Sequence, residues 1–153
     1  MQIKEQAVIW LQGAGCTGCS ISVMNCVSPT IRNLLLDEIV PGKHLSFLFH
    51  PTLMAASGEL AIEVTLGEKK ESGYLLVVEG AIPTAKGGIF GTIGEKDGKP
   101  LTILSLFKEL ARDAVAVISL GNCSAFGGIP AAHPNPTGSK SVAKVLEEEN
   151  IKT

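Results

Sequence analysis

Four short, nearly uninterrupted apolar runs punctuate the chain, at residues 7–11 (AVIWL), 45–49 (LSFLF), 74–78 (YLLVV) and 114–120 (AVAVISL). Each has the length of a strand and no polar alternation, which predicts strands buried on both faces of a sheet. Amphipathic stretches separate them. Residues 29–39 place Pro29 at a first helical position, with Ile31, Leu34, Leu35 and Ile39 on one side. Residues 58–71 mix Leu60, Ala61, Val64 and Leu66 with Glu and Lys, and residues 101–112 and 140–149 behave alike.

Strands that alternate with helices imply parallel neighbours joined by crossovers. The expected fold is therefore α/β, a flavodoxin-like three-layer sandwich with a mostly parallel sheet. Residues 87–99 interrupt the alternation, and their glycines, with Asp-Gly at positions 97 and 98, predict a surface β-hairpin or loop. No repeat or change of composition divides the chain, so its 153 residues read as one domain.

Composition narrows the function. Charged residues are 18% of the chain, below the roughly 25% of average globular proteins, which points to a large buried interface. Net charge is −2 and no Lys/Arg run tracks a phosphate backbone, so nucleic acid is not an expected partner. No apolar window reaches the ~18 residues of a membrane span, and no export signal precedes the first strand. Four cysteines are too sparse for a disulfide scaffold, and Cys16, Cys19 and Cys26 lie together while Cys123 is distant.

Ligands of an open parallel sheet bind beyond the C-terminal ends of its strands. The first strand runs into GAGCTGC, the third into EGAIPTAKGG and the fourth into GNCSAFGGIP. Cys16, Cys19, Cys123 and Glu79 are thereby expected at one edge. Cys-x-x-Cys suits zinc, an iron–sulfur cluster or a thioredoxin-like redox pair; a third thiol argues against the pair. GAGCTG also matches G-x-G-x-x-G, yet no acidic residue ends the second strand (FHPT) to take a ribose hydroxyl. Cys26 would stand about 10 Å from Cys19 along a helix and reads as a core filler outside the site. Glu79 is a candidate for proton relay or tuning of a metal centre, or for capping a helix. His44, His50 and His133 carry no signal above that of ordinary loop or surface residues.

Taken together, VIWLQGAGCTGCSIS, LFHPTLMAASGE, LLVVEGAIPTAKGG and GNCSAFGGIPAAHPNPTGSKSV resemble the N-terminal domain of the small subunit of nickel–iron hydrogenases, nearest to the nickel–iron–selenium branch. The resemblance implies an enzyme subunit, not active as an isolated chain, that carries electrons away from a hydrogen-splitting site in a large subunit. It implies that Cys16, Cys19 and Cys123 are three of four ligands of a proximal 4Fe-4S cluster, with Glu79 beside it. It further implies a heterodimer, a downstream carrier such as a cytochrome or ferredoxin, and a periplasmic or membrane-associated complex. The chain carries no twin-arginine signal, which leaves a cytoplasmic form open.

The family's fourth ligand lies in a PGCPP-like motif after the next strand, beyond Thr153. Residues 1–153 are thus expected to be a truncated proximal-cluster domain without the C-terminal cluster domain, and a cluster on them alone to be absent, labile or incomplete. Other readings are a flavin- or nucleotide-binding module, a zinc-stabilised interaction domain, or a related iron–sulfur subunit of a quinone-linked respiratory complex.

Overall fold

In the computed structural model, which describes residues 4–37, 43–68, 73–96 and 98–153, the apolar runs become the strands of a parallel sheet. They are β1 (Lys4–Gln12), β2 (Lys43–Phe49), β3 (Tyr74–Glu79) and, seventh in chain order, β7 (Ala116–Leu120). Their spatial order is β2-β1-β3-β7, with every neighbouring pair parallel. The chain reverses its direction of winding between β1 and β3, which creates the crevice where such sheets bind ligands.

Side chains alternate strictly across β1 and β3. Ala7, Ile9, Leu11, Tyr74, Leu76 and Val78 face one buried cluster, and Val8, Trp10 and Val77 the other. The first cluster is closed by α3 (Gly58–Glu68), α4 (Ile103–Asp113) and α6 (Val142–Glu148). Their contributions include Ile62, Leu106, Phe107, Leu110, Val142 and Val145. On the second side lie α1 (Gly18–Met24), whose Val23 joins the Trp10 cluster, and α2 (Ile31–Leu36), packed along β2. Two helical layers around a parallel sheet are the three-layer architecture expected.

The hairpin is present as β5 (Thr92–Lys96) and β6 (Lys99–Thr102), paired antiparallel. The Asp at position 97 lies outside the described residues. A second antiparallel pair, β4 (Ile82–Pro83) with β8 (Ser139–Lys140), ties the loop after β3 to the segment before α6.

Several boundaries differ from the periodicity, each for a local reason. Thr30 caps α2 through a reciprocal box with Asn33, so the helix starts at Ile31 rather than at Pro29. Residues 38–42 and 69–72, where the expected helices would have ended, lie outside the described residues. Thr102 caps Ser105 N, and residues 101 and 102 are drawn into β6. Ser141 likewise caps Lys144 N, leaving Lys140 in β8. Of the apolar residues noted for this stretch, Leu60 is 62% exposed, whereas Ala61 is buried together with Ile62. The fourth strand also departs from two-sided burial, because β7 is the sheet's edge and Ile118 is 42% exposed.

Candidate functional site

The site is built on the two central strands. Registry pairs Gln12, the last residue of β1, with Glu79, the last of β3. Beyond them the two chains stay zipped: Gly13 N donates to Glu79 O at 2.6 Å, Ala14 N to Ala81 O at 2.8 Å, and Ala81 N to Ala14 O at 2.8 Å. A Cβ on Gly80, whose φ is +86°, would stand 2.8 Å from the Gly13 carbonyl carbon, so this contact requires glycine. The cysteine loop is thus pinned to the sheet before it turns into α1.

Thr17 enters α1 in the left-handed region (φ 62°) and offers no side-chain cap. Glu79 does so from sixty residues away. Its Oε1 accepts from Cys19 N at 3.0 Å and Ser20 N at 3.2 Å. Its Oε2 accepts from Trp10 Nε1 and Gln12 Nε2, both at 3.2 Å, and from the Ser20 hydroxyl. Burial pushes the carboxyl upward, but the hydrogen bonds from the Ser20 hydroxyl and amide, Gln12 and Trp10 outweigh it and hold it below the usual carboxylate range. Glu79 is therefore an ionised, buried anchor for the helix that carries Cys19; the capping role foreseen for it is real.

That carboxylate also decides against a phosphate loop. A phosphate at this Gly-rich turn would need the N-terminal amides of α1. Glu79 occupies two of them, and the amides of Gly13 and Ala14 are spent on β3 and its loop. A cleft of about 310 Å³ between α3 and the hairpin is lined by Glu59, Glu63, Glu95 and Lys96, a carboxylate-rich wall poorly suited to a flavin phosphate.

From β7 the chain enters α5 (Gly121–Phe126), which presents Cys123 toward the same edge. Gly121, at φ +81°, leaves its missing Cβ position to Cys19 Sγ. Cys16 Sγ lies over Gly18, and Cys123 Sγ over Gly128. Burial pushes the Cys19 thiol up first, and the charges of Glu79, Cys16 and Cys123 push it further. Cys16 and Cys123 thus both lie near enough to Cys19 to act on its thiol. All are free thiols, Cys16 exposed and the other two partly buried. Such soft donors repel as thiolates and need metal charge to be deprotonated together. Among the described residues, no three His, Cys, Asp or Glu form a group the size of a single-ion site.

Cys26 falls after α1 and is exposed, so it fills no core position. His50 departs furthest from expectation. It is buried beside Trp10, with ring centroids 4.7 Å apart, and its Nε2 is 3.4 Å from Ser20 Oγ. Burial lowers its basicity, outweighing the pull of Glu79. The position after an apolar run and before Pro51 was the only sequence sign of its place at a strand end. His133 is exposed and remains apart from these contacts.

A parallel sheet wound in this order, with thiols in the loops beyond its strand ends and a carboxylate where a phosphate would otherwise bind, defines an α/β protein whose glycine-rich turn is closed to a nucleotide phosphate. The chain belongs to the family described as NADH ubiquinone oxidoreductase, 20 Kd subunit, whose model matches residues 16–153. Within that family it is similar to small subunits of hydrogenases. It is 46% identical over 155 residues to the periplasmic [NiFeSe] hydrogenase small subunit of Desulfomicrobium baculatum, covering 97% of this chain and 47% of the relative. It is 40% identical to the periplasmic [NiFe] hydrogenase small subunit 1 of Nitratidesulfovibrio vulgaris, covering 97% and 44%. Among solved structures, the recombinant [NiFeSe] hydrogenase from Desulfovibrio vulgaris Hildenborough superposes with a TM-score of 0.91 at 39% identity, over 98% of this chain and 52% of that one. The chain spans about half the length of these relatives. Among the described residues no helix is long and apolar enough to cross a membrane.

Proposed function

We propose that residues 1–153 form the proximal-cluster domain of a nickel–iron hydrogenase small subunit, with Cys16, Cys19 and Cys123 holding a 4Fe-4S cluster together with a fourth ligand from outside these residues. The observation that carries this reading is the packing of the loop after β7 around Cys19, whose Sγ fills the place of a Gly121 Cβ, with Cys16 seated over Gly18 and Cys123 over Gly128. The donor set fits the group. Three thiols are the ligands such clusters take, and a cluster spaces them more widely than the roughly 3.7 Å of a zinc tetrahedron.

Once bound, the cluster supplies a one-electron store between the hydrogen-splitting metals of a large subunit and a downstream carrier such as a cytochrome or ferredoxin. The chain's own residues set the conditions of that transfer. Glu79 fixes the helix that bears Cys19 and places a negative charge beside it, which favours the oxidised cluster. The apolar cluster around Trp10 excludes water from beneath the loops. Phe126 and Ile129, 82% and 88% exposed, flank Gly128 beside Cys123 and supply apolar anchors for the large subunit. The periplasmic names of the relatives favour a periplasmic complex.

The family description also favours a second reading, an iron–sulfur subunit of a quinone-linked respiratory complex. Identities of 46% and 40% to hydrogenase small subunits weigh against it.

The test is iron and acid-labile sulfide content, with EPR, on anaerobically purified protein extended through the next cysteine. About four iron and four sulfide per chain are expected, lost in Cys16→Ser, Cys19→Ser and Cys123→Ser and retained in Cys26→Ser. Stoichiometric zinc or flavin in place of iron would sink the proposal.

A further inference from the structure

Beneath the cysteine loops runs a line of buried polar side chains that electron storage by itself does not require. His50 and Glu79 are 3% exposed and Ser20 1%. Groups so buried are costly unless paired, and here the pairing has a direction. Thr52 N donates to His50 Nδ1 at 3.2 Å, so the neutral ring carries its proton on Nε2. That Nε2 donates to Ser20 Oγ. Gln12 Nε2 donates to the same oxygen at 2.9 Å. With both acceptor sites of Ser20 filled, its hydroxyl proton is turned onto Glu79 Oε2. Glu79 Oε1 then receives the amides of Cys19 and Ser20.

The surroundings keep this chain in place. Trp10 packs tilted against His50 and donates its indole N–H to Glu79, and Phe47 packs near both rings. Bonds arranged head to tail in a dry pocket polarise and strengthen one another.

We propose that His50 is a positioning residue for the cysteine site: held by Thr52 as the Nε2–H tautomer, it locks the Ser20 hydroxyl onto Glu79 and so holds the carboxylate and the start of α1 at Cys19. The redox consequence rests on the cluster reading above, whereas the geometric part stands without it. A fixed carboxylate beside a thiolate ligand tunes the potential of the centre through its charge and hydrogen bonds. Loosening that carboxylate removes negative charge from beside the cluster, which raises the potential.

The experiment uses the complete subunit assembled with its partner. His50→Phe keeps an aromatic ring against Trp10 but removes both hydrogen-bonding nitrogens, and His50→Gln returns an N–H near the place of Nε2. Expected are an upward shift of the cluster potential in His50→Phe by potentiometric EPR titration, at unchanged iron and sulfide content, and its reversal in His50→Gln. Trp10 packs against His50 and donates to Glu79, so the part of the fluorescence of metal-stripped subunit that Trp10→Phe removes reports on the same pocket without a cluster. Its emission is expected to change in His50→Phe and return in His50→Gln. An unmoved potential overturns the proposal, whether or not the emission moves. Equal loss of iron in both variants also overturns it, since that marks a purely structural role. If the wild-type subunit binds no iron–sulfur cluster, the cluster reading fails and the emission alone decides: unchanged emission overturns the positioning role, and a change reversed by glutamine supports it.

Discussion

Gly121 and Cys19 share one position in space: a Cβ built on Gly121 would lie 2.3 Å from the Cys19 sulfur, and the Gly121 backbone is at φ +81°. The loop after β7 is thereby moulded around a thiol from the loop after β1. Gly121→Ala combines left-handed strain with displacement of the sulfur, a cost of about 2 kcal/mol or more. Iron content should fall sharply along with the melting temperature. Gly87→Ala is the control, because Gly87 has φ +72° but open space around it. It should lower the melting temperature modestly and leave iron content unchanged.

Glu79→Gln keeps the shape of the side chain but gives up the charge and turns an amide N–H₂ toward donors. Hydrogen bonds to charged groups contribute roughly 1.5–3 kcal/mol each, so a loss of about 3 kcal/mol is expected at neutral pH. The carboxyl is held below its ordinary value, so its contribution is present above about pH 4.5 and is lost as pH falls through the lowered value. Urea midpoints measured from pH 7 downward should show wild type losing stability in this acid range, while Glu79→Gln stays flatter.

Tyr74 predicts the opposite limb. Its hydroxyl donates to Leu110 O at 2.5 Å in a dry pocket. Burial, followed by the charges of Asp113 and Glu109, pushes the phenol well up from 10. Its stabilisation is complete below about pH 10 and falls as pH rises through the folded value, because only the unfolded chain ionises there. It is the single tyrosine of residues 1–153, so the tyrosinate absorbance that Tyr74→Phe removes should appear only with unfolding. Tyr74→Phe should cost about 1 kcal/mol at neutral pH and flatten the alkaline fall.

Phe126→Asp and Ile129→Asp each place a charge at an exposed apolar anchor. In the heterodimer proposed above, each should weaken association with the large subunit at least tenfold, as truncation of an interface anchor does. Copurification of the two subunits checks this. The melting temperature of the small subunit should move little, because these side chains touch solvent rather than core.

Residue patterns alone determined the parallel strands, the hairpin and the edge of the sheet where Cys16, Cys19, Cys123 and Glu79 gather. Those features follow from local periodicity and from the rule that crossovers return each strand to the same end. Short α5 was missed, and α1 entered only as a conditional helix over 19–26, because six and seven residues hold too few turns to show a period. The exposure of β7 was also hidden, since a continuous apolar run reads alike at the centre or rim of a sheet. Only the tertiary structure decided what His50, Ser20, Gln12 and Trp10 do. Glu79, which bonds Trp10, Gln12 and Ser20 directly and His50 through Ser20, is between 29 and 69 residues away from them in sequence, and the β1–β3 register sets Gln12 beside it. Directional bonds of this kind depend on ångström positions that no sequence period records.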